Sequence, residues 1–206
     1  AGKSTLLKIL NGDYHHTHGQ YFIDGEEKNF RSPYEAIQAG VSIIYQERQI
    51  VPYLSVAENV FMGKLPKKNG LVDFKRLNKE TQKIIDEFKL PLSPTDRVAN
   101  LSIAHQQMVE IMKAYNRNLK IIAFDEPTAS LSEREISVLF DIILKLKKRG
   151  IIILYVSHRL KEIFQITDKV VVFKDGKFVA MKNTQDTNEK ELIKLMVGRE
   201  LVDIFN

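Results

Sequence analysis

Ile121-Ile122-Ala123-Phe124-Asp125-Glu126-Pro127-Thr128 is the stretch of this sequence that decides the fold class. Four apolar residues run directly into two carboxylates, which is typical of a buried strand whose carboxyl end reaches solvent. Carboxylates at such a strand end can bind a divalent cation or accept a proton from a reacting water. A merely solvated acidic strand end is the alternative interpretation, and residues elsewhere in the chain must decide between the two.

Strands and helices alternate on both sides of this stretch. Apolar runs at residues 41–45 and 151–156 are predicted strands, and the second is apolar throughout, as in a sheet covered on both faces. Alternation of such strands with helices predicts a mostly parallel α/β sheet. Asp24-Gly25 and Asp175-Gly176 are dipeptides typical of tight hairpin turns, so antiparallel additions are expected near each end of the chain.

Local signals also place the helices and one loop. Residues 74–89 and 102–116 have helical periodicity, whereas residues 64–70 are polar and are expected to form a flexible loop. Three further helices begin with a capping box, in which a serine and a glutamate three positions later satisfy the unpaired N–H groups of the first turn. These boxes pair Ser32 with Glu35, Ser55 with Glu58 and Ser132 with Glu135.

The composition excludes several classes of protein. The chain has 206 residues, no cysteine and a formal net charge of +5. The lack of cysteine rules out disulfides, thiolate catalysis and Cys-ligated zinc. The longest apolar runs are far shorter than the ~20 residues that a membrane span requires. The modest positive charge permits anionic partners such as nucleotides, lipid head groups or nucleic acid without selecting one of them.

Gly2-Lys3-Ser4-Thr5 matches the end of the phosphate-loop pattern GxxxxGK[ST]. Backbone N–H groups at the start of the following helix favour phosphate oxygens. In that pattern Lys3 reaches the β- and γ-phosphates and the Ser4 hydroxyl binds Mg²⁺. Four residues alone also fit an ordinary helix start, but with Asp125 and Glu126 downstream in the right order they predict a nucleotide site.

Further motifs make the pattern specific. Residues 101–107, Leu-Ser-Ile-Ala-His-Gln-Gln, precede the acidic strand, while Gln46 follows one apolar strand and His158 follows another. Together with the phosphate-loop residues and Asp125-Glu126-Pro127-Thr128, these motifs resemble, in kind and order, those of the ATP-binding domains of ABC transporters. The resemblance covers residues 1 to about 181.

The resemblance implies a role for each matching residue. Catalytic roles fall to Glu126 as the base, Gln46 as the sensor of Mg²⁺ and the attacking water, and His158 as a γ-phosphate contact. Nucleotide contacts are implied for Gly2, Lys3, Ser4, Thr5, Ser102, Ala104 and His105, and Mg²⁺ contacts for Ser4, Gln46 and Asp125. The expected cofactors are therefore ATP and Mg²⁺, with the signature residues capping ATP that is bound on a second, opposing domain.

The same resemblance implies a P-loop NTPase (RecA-like) core with a mostly parallel sheet and partial antiparallel β additions. A helical subdomain over about residues 73–116 would carry the signature motif, within a single ATP-binding domain over residues 1–206. Because the chain begins inside the phosphate loop, we expect its first strands to be missing, with the aromatic residue that stacks on adenine in this family. We therefore expect this chain by itself to bind ATP poorly.

Three segments resemble one subgroup, the monosaccharide importers of the ribose, galactose and xylose type. They are residues 101–113, residues 45–47, and Met-Val-Gly-Arg-Glu at residues 196–200. That resemblance implies a peripheral ATPase at the cytoplasmic face of the membrane that powers sugar import. Its expected partners are transmembrane permease subunits, a second nucleotide-binding domain in the same full-length chain and, indirectly, a periplasmic or extracellular sugar-binding protein. No nucleic acid is expected as a partner.

Two departures from the family pattern leave alternatives open. The signature has Ile103 and Ala104 in place of its usual glycines, and Ser132 stands where an aspartate is usual. Side chains at the glycine positions can weaken a close backbone contact with phosphate, so a catalytically weak regulatory half-site is one alternative. A soluble ABC-type ATPase that acts on nucleic acid or ribosomes is the other, and salt-dependent nucleic-acid binding would favour it.

Other clusters have simpler interpretations. Three histidines at residues 15–18 fit an exposed surface loop better than a metal site. Phe61 and Met62 fit either core packing or contact with a permease helix. The apolar residues within 50–54 lie in a loop-like stretch, which slightly favours a partner surface.

Overall fold

The structure is a computed structural model, and it describes residues 2–197. Residues 198–200, part of one segment that resembles sugar importers, lie outside the described residues. The chain divides into two compact units. The first comprises residues 1–36 and 154–206, and the second comprises residues 37–153.

Helices and strands alternate along the described residues, as the sequence pattern predicts. The helices are α1 (Lys3–Leu10), α2 (Pro33–Gln38), α3 (Val56–Val60), α4 (Phe74–Phe88), α5 (Ile103–Tyr115), α6 (Glu133–Lys148), α7 (Leu160–Ile166) and α8 (Glu189–Val197). The strands are β1 (Tyr21–Ile23), β2 (Glu26–Lys28), β3 (Val41–Ile44), β4 (Lys67–Lys68), β5 (Leu71–Val72), β6 (Ile121–Asp125), β7 (Ile152–Val156), β8 (Lys169–Lys174) and β9 (Lys177–Asn183). The predicted elements at residues 41–45, 74–89 and 102–116 are confirmed to within one residue at each end.

A parallel sheet forms the centre of the second unit. β3 and β6 pair in parallel, with Ile44 opposite Phe124. β7 begins on the other side of β6, where the Ile152 N–H donates to the Lys120 C=O at 2.9 Å. Residues 121–124 are all buried. Because successive side chains of a strand point to opposite faces, this burial means that both faces of β6 are covered, as in a parallel α/β sheet.

The prediction that both faces of the strand are covered is wrong for β7. The apolar run at residues 151–156 was expected to lie in a sheet covered on both faces, but none of the residues of β7 is fully buried and Ile152 is 55% exposed. In the described sheet the strand order is β3–β6–β7, so β7 has a strand neighbour on one side only.

Two of the three predicted capping boxes form in full. At α3 and α6 the serine Oγ accepts from the glutamate N–H, and the glutamate carboxylate accepts from the serine N–H. At α2 the Ser32 Oγ accepts from the Glu35 N–H at 3.4 Å, but the Glu35 carboxylate accepts from the Arg31 N–H instead. The third box is therefore displaced by one residue, although α2 still begins where the sequence predicts.

The prediction of a flexible loop over residues 64–70 is wrong in part, because residues 67–72 form a hairpin. Lys67 pairs with Val72 across a turn at Asn69-Gly70, whose φ values are +51° and +83°. Two successive positive φ values define the tight turn that matches the twist of paired strands. The Asn-Gly dipeptide was the local signal for this hairpin.

α4 and α5 lie between β3 and β6 in sequence, within the second unit. Their buried apolar residues are Leu77, Ile84, Ile85 and Phe88 on α4, and Met108, Ile111 and Met112 on α5. Glu87 joins them to α6: its carboxylate accepts from the Tyr115 hydroxyl at 3.2 Å and pairs with Arg149, and its C=O accepts from Lys145 Nζ at 3.3 Å. The carboxyl ends of the three helices are thus tied together.

The first unit consists of α1, α7, α8 and two antiparallel hairpins, with α2 beginning in it. β1 pairs with β2 and β8 pairs with β9. The turns are Asp24-Gly25, with φ of +54° and +80°, and Asp175-Gly176, with φ of +49° and +78°. Both predicted hairpins are therefore confirmed, with the turn type that Asp-Gly favours.

Candidate functional site

The two acidic residues of the candidate site lie at the carboxyl end of β6. Asp125 is the last residue of the strand and is partly buried. Glu126 follows with a φ of +50°, in the left-handed region. A residue with a side chain pays on the order of 1–3 kcal/mol for such a backbone, and strain of this kind concentrates at functional sites. The conformation of Glu126 therefore supports a functional role independently of the sequence motif.

A cavity of about 330 Å³ lies at this strand end, within the second unit. Gln46 from the loop after β3, Glu126 from the loop after β6 and Ile103 from the start of α5 all line it. The other lining residues are Tyr45, Arg48, Gln107, Pro127, Ala129 and Ser130. Because β3 and β6 are parallel, their carboxyl ends meet at one edge of the sheet, which brings Gln46 and Glu126 to the same cavity.

Residues 45–54, here called the glutamine loop, connect β3 to the start of α3. Asn59, which is fully buried, holds this loop from α3. Its Oδ1 accepts from the Val51 N–H at 2.8 Å, and its Nδ2 donates to the C=O groups of Val51 and Ser55 at 3.0 Å. One side chain therefore satisfies both backbone groups of Val51.

α5 holds the same loop two residues earlier. The Glu110 Oε1 accepts from the Gln49 N–H, and Lys113 Nζ donates to the Gln49 C=O at 3.1 Å. Glu110 is only 6% exposed, and burial raises the pKa of its carboxyl above the ordinary value. Burial likewise lowers the pKa of Lys113, helped by the nearby positive charge of Arg117. α5 thus carries two charged groups that are partly removed from water in order to bind a loop backbone.

The first turn of α5 carries the signature motif. Ser102 is the N-cap, and its Oγ accepts from the His105 N–H at 3.3 Å. Ile103 is 43% exposed, whereas Ala104 is 3% exposed. Ala104 is therefore enclosed within the second unit, backbone included, and the nucleotide contact at Ala104 stays a prediction. Ser102 is exposed and His105 is half-buried.

The phosphate-loop residues begin the first unit. Gly2 has a φ of +88° and immediately precedes α1, which starts at Lys3. A Cβ on Gly2 would lie 3.1 Å from the Cα of Gly176, so both conformation and space favour glycine here. Ser4 and Thr5 are exposed, and Lys3 is half-buried.

His158 is exposed in the loop between β7 and α7, also in the first unit. Glu162 on α7, 6% exposed, accepts hydrogen bonds from the Tyr155 hydroxyl at 2.8 Å and the Ser157 Oγ at 3.0 Å. It also forms an ion pair with Arg159 at 3.5 Å. These partners flank His158 in sequence on both sides, so Glu162 fixes the loop that carries the histidine.

The predicted site residues are therefore distributed over both units. Gln46, Asp125, Glu126 and the signature residues belong to the second unit, while residues 2–5 and His158 belong to the first. Within the second unit Gln46 and Glu126 line one cavity.

Sequence reasoning missed Asn59, Glu110 and Glu162, which hold the loops of Gln46 and His158. A local signal existed in each case, since all three are polar residues that stand among apolar helix positions. A buried polar residue of this kind needs a hydrogen-bond partner. The identity of that partner depends on the tertiary structure.

The structure also locates the other clusters that the sequence singles out. The histidines at residues 15–18 lie in an exposed loop, where His16 packs edge-on against Tyr21 with ring centroids 5.9 Å apart. Phe61 is 7% exposed and belongs to the core, whereas Tyr53 on the glutamine loop is 81% exposed. Across residues 2–197, none of the helices combines the length and the apolar character that crossing a membrane requires.

Proteins of similar sequence are import ATP-binding proteins. The chain is 50% identical over 206 residues to the arabinose import ATP-binding protein AraG of Yersinia pestis, covering all of this chain and 39% of that protein. It is 45% identical over 206 residues to the ribose import ATP-binding protein RbsA 2 of Escherichia coli O157:H7, covering all of this chain and 41% of that protein. The chain therefore spans about two fifths of the length of these relatives.

Solved structures of similar fold are ATP-binding cassettes. One, an ATP-binding cassette of an ABC transporter in its ADP conformation, matches with a TM-score of 0.77 at 24% identity, over 99% of this chain and 83% of that one. Another, cbiO1 from Clostridium perfringens, matches with a TM-score of 0.77 at 21% identity, over 98% of this chain and 81% of that one. At this level of identity the likeness establishes the fold.

The family model described as ABC transporter matches residues 1–129, which include the phosphate-loop residues, Gln46, the signature and the acidic strand end. The family match covers more than half of the chain, and the motifs within it occur in the order that the sequence analysis predicts. On these grounds the chain belongs to the ABC transporter family.

Proposed function

We propose that this chain is the ATP-binding and ATP-hydrolysing cassette of an ABC importer for a monosaccharide. The observation that carries the ATPase proposal is the pair of Gln46 and Glu126 on one cavity at the carboxyl ends of parallel strands, with Glu126 held at a φ of +50°. A carboxylate that lines the same cavity as an amide side chain is suited to activating a water molecule for attack on phosphate.

The residues present fit ATP and Mg²⁺. Gly2, Lys3, Ser4 and Thr5 stand at the start of α1, where exposed hydroxyls and helix N–H groups favour phosphate oxygens. Ser4, Gln46 and Asp125 offer hydroxyl, amide and carboxylate oxygens, the donor types that Mg²⁺ prefers. Bound Mg²⁺ neutralises charge on the phosphate oxygens.

Three side chains then act on the reaction itself. The Glu126 carboxylate takes the proton of the attacking water. The Gln46 amide orients that water from the neighbouring strand end, after β3. The His158 imidazole donates a hydrogen bond to the γ-phosphate. We propose that the exposed Ser102 and the half-buried His105 contact ATP on an opposing domain, and that Ala104 lies beside them in the same helix turn.

The sugar-import part of the proposal rests on the relatives, which act in ribose and arabinose import according to their names. Because those relatives are more than twice as long as this chain, the complete protein has room for a second nucleotide-binding domain. We propose that it works with transmembrane permease subunits, peripherally at the cytoplasmic face of the membrane. The exposed Tyr53 on the glutamine loop is the residue best placed for a permease helix.

Replacing Glu126 by Gln in the complete protein tests the ATPase proposal. The amide cannot accept the proton, so hydrolysis at this site should fall by at least ~100-fold while ATP binding persists. Steady-state phosphate release and equilibrium binding of labelled ATP measure the two effects. Asp141→Asn, an exposed change on α6, is the control and should leave both values unchanged. Hydrolysis at the wild-type rate in Glu126→Gln would remove Glu126 from the catalytic role.

One observation favours a second candidate, the catalytically weak half-site. Ile103 projects a large, 43% exposed side chain into the lining of the cavity, at a position where the family usually has glycine. If ATP binds this site in the wild-type protein without measurable turnover there, the site is regulatory. Replacing Ile103 by Gly should then increase turnover.

A further inference from the structure

Resting on the proposed ATPase function, we propose that Glu110 is a positioning residue for hydrolysis. Through the backbone of Gln49 it holds the glutamine loop, and with it the side chain of Gln46, in the arrangement that the reaction needs. Glu110 lies outside the motifs that implied the site residues.

The geometry is a two-point attachment to one residue of the loop. Glu110 accepts from the Gln49 N–H and Lys113 donates to the Gln49 C=O at 3.1 Å, from positions one turn apart on α5. Gln49 lies three residues after Gln46 and one after Arg48, and both of those line the cavity with Glu126. The attachment therefore acts on the stretch of backbone that carries the cavity residues.

The second oxygen of Glu110 shows that the carboxylate is not optimised for stability. Its Oε2 is buried and has no hydrogen-bond partner among residues 2–197. A buried charged oxygen without a partner costs stability, and an apolar residue at this helix position would avoid that cost. The hydrogen bond that its other oxygen accepts from the Gln49 N–H explains why a carboxylate stands at this costly position.

The charged groups around Glu110 determine how its hydrogen bond to the Gln49 N–H depends on pH. Lys113 on its own helix and Arg48 on the glutamine loop are the positive groups that stabilise its ionised form. β3, which packs against α5, contains no titratable residue, and α3 contains only Glu58, which is engaged with Ser55. Burial outweighs these charges and raises the pKa of Glu110. As the pH falls through that raised pKa, the carboxylate is neutralised and its charge-assisted bond to Gln49 weakens.

The test measures ATP hydrolysis by the complete protein as a function of pH, with Glu110 replaced by Ala or by Gln. Ala removes the acceptor, so kcat should fall by about tenfold or more while the Kd for ATP stays within about twofold. Gln keeps an oxygen acceptor for the Gln49 N–H, so it should restore kcat to within about threefold of the wild type. Gln and protonated Glu110 are both uncharged acceptors, so the loss of kcat that protonation of Glu110 causes in the wild type, up to about threefold, should be absent from the profile of the Gln variant. The acidic limb that the catalytic groups contribute should remain.

Glu133→Gln, at an exposed glutamate on α6, is the control and should retain the wild-type profile. If Glu110→Ala does not fold, Glu110→Gln, which is of the same size, supplies the pH profile by itself. Wild-type kcat in the Ala variant, loss in Gln as large as in Ala, or a Gln profile that keeps the full acidic limb of the wild type would each overturn the inference.

Glu126→Gln in the same preparation separates this inference from the proposed function. If Glu126→Gln abolishes hydrolysis and the Glu110 variants behave as the wild type, only the positioning role is wrong. If Glu126→Gln leaves hydrolysis intact, the proposed catalytic site is wrong, and the role of Glu110 in it fails as well.

Discussion

Glu110 and Glu126 are both held in states that a folded chain ordinarily avoids, one by burial and the other by backbone strain. For Glu110 the sign of the effect on stability follows from its raised pKa. The folded state binds the proton more tightly than the unfolded state, so stability declines as the pH rises from the ordinary value of 4.5 through the raised pKa. Glu110→Gln should remove that decline of stability with pH, because the side chain of Gln does not titrate.

Asn59 is the residue whose loss should damage the glutamine loop most directly. Asn59→Ala removes the partner of the Val51 N–H and one of the two donors to the Val51 C=O, which also accepts from the Leu54 N–H at 3.2 Å. We expect the free energy of unfolding to fall by about 1–3 kcal/mol, the cost of one unsatisfied group. Urea denaturation measures this change. Asn100→Ala at an exposed position is the matched control, with an expected change within about 0.5 kcal/mol. An equal effect of the two changes would show that the Asn59 bonds do not hold the loop.

At the scale of elements, α6 is secured at both ends by different means. Its amino end has the reciprocal capping box of Ser132 and Glu135, and its carboxyl end is tied through Arg149 and Lys145 to Glu87 on α4. Ser132 occupies the position where the family usually has aspartate, and it still caps the helix. The substitution therefore preserves the local structure while removing a charge from that position.

Ser132→Ala tests the cap of α6. It removes the hydroxyl that receives the Glu135 N–H, so the free energy of unfolding should fall by about 1 kcal/mol. Hydrogen bonds from the Ser132 backbone and then its hydroxyl lower the pKa of Glu135, so their contribution is present above the ordinary pKa and is lost as the pH falls through the lowered one. The difference between variant and wild type should thus narrow in acid.

Ser137→Ala is the control for this change, because Ser137 is exposed in the middle of the same helix. Alanine there should leave stability unchanged or raise it slightly, through its higher helix propensity. Denaturant unfolding at several pH values compares the two variants. If Ser137→Ala destabilises the protein as much as Ser132→Ala does, the capping role of Ser132 is wrong.

At the scale of the whole molecule, the residues proposed to bind ATP are shared between the two units. Residues 2–5 and His158 are in one, and Gln46, Asp125 and Glu126 are in the other. A ligand that binds the folded chain stabilises it against unfolding by mass action. The formal charge of +5 is compatible with an anionic nucleotide and adds no selectivity by itself.

MgATP should therefore stabilise the complete protein by roughly 2.7 kcal/mol when its concentration is 100 times the Kd. The stabilisation is measured as a rise in Tm on thermal unfolding of the Glu126→Gln protein, because this variant should not hydrolyse the bound ATP. Lys3→Ala should remove the part of the rise that this domain contributes, because it deletes the proposed phosphate contact. An equal rise in Lys3→Ala would show that ATP is bound elsewhere.

The sequence by itself determined the strands, the capped helices, the Asp-Gly hairpins and the order of the motifs, because each depends on residues that are close together in the chain. The tertiary structure alone decided how far each element is enclosed, so β7 proved to be only partly buried although its composition is apolar. It also decided the partners of buried polar groups. The bond from Gln49 to Glu110 joins residues 61 positions apart, and no local pattern specifies a contact over that separation. Periodicity and caps report local geometry, whereas the positioning of Gln46 arises from long-range packing of α5 against the glutamine loop.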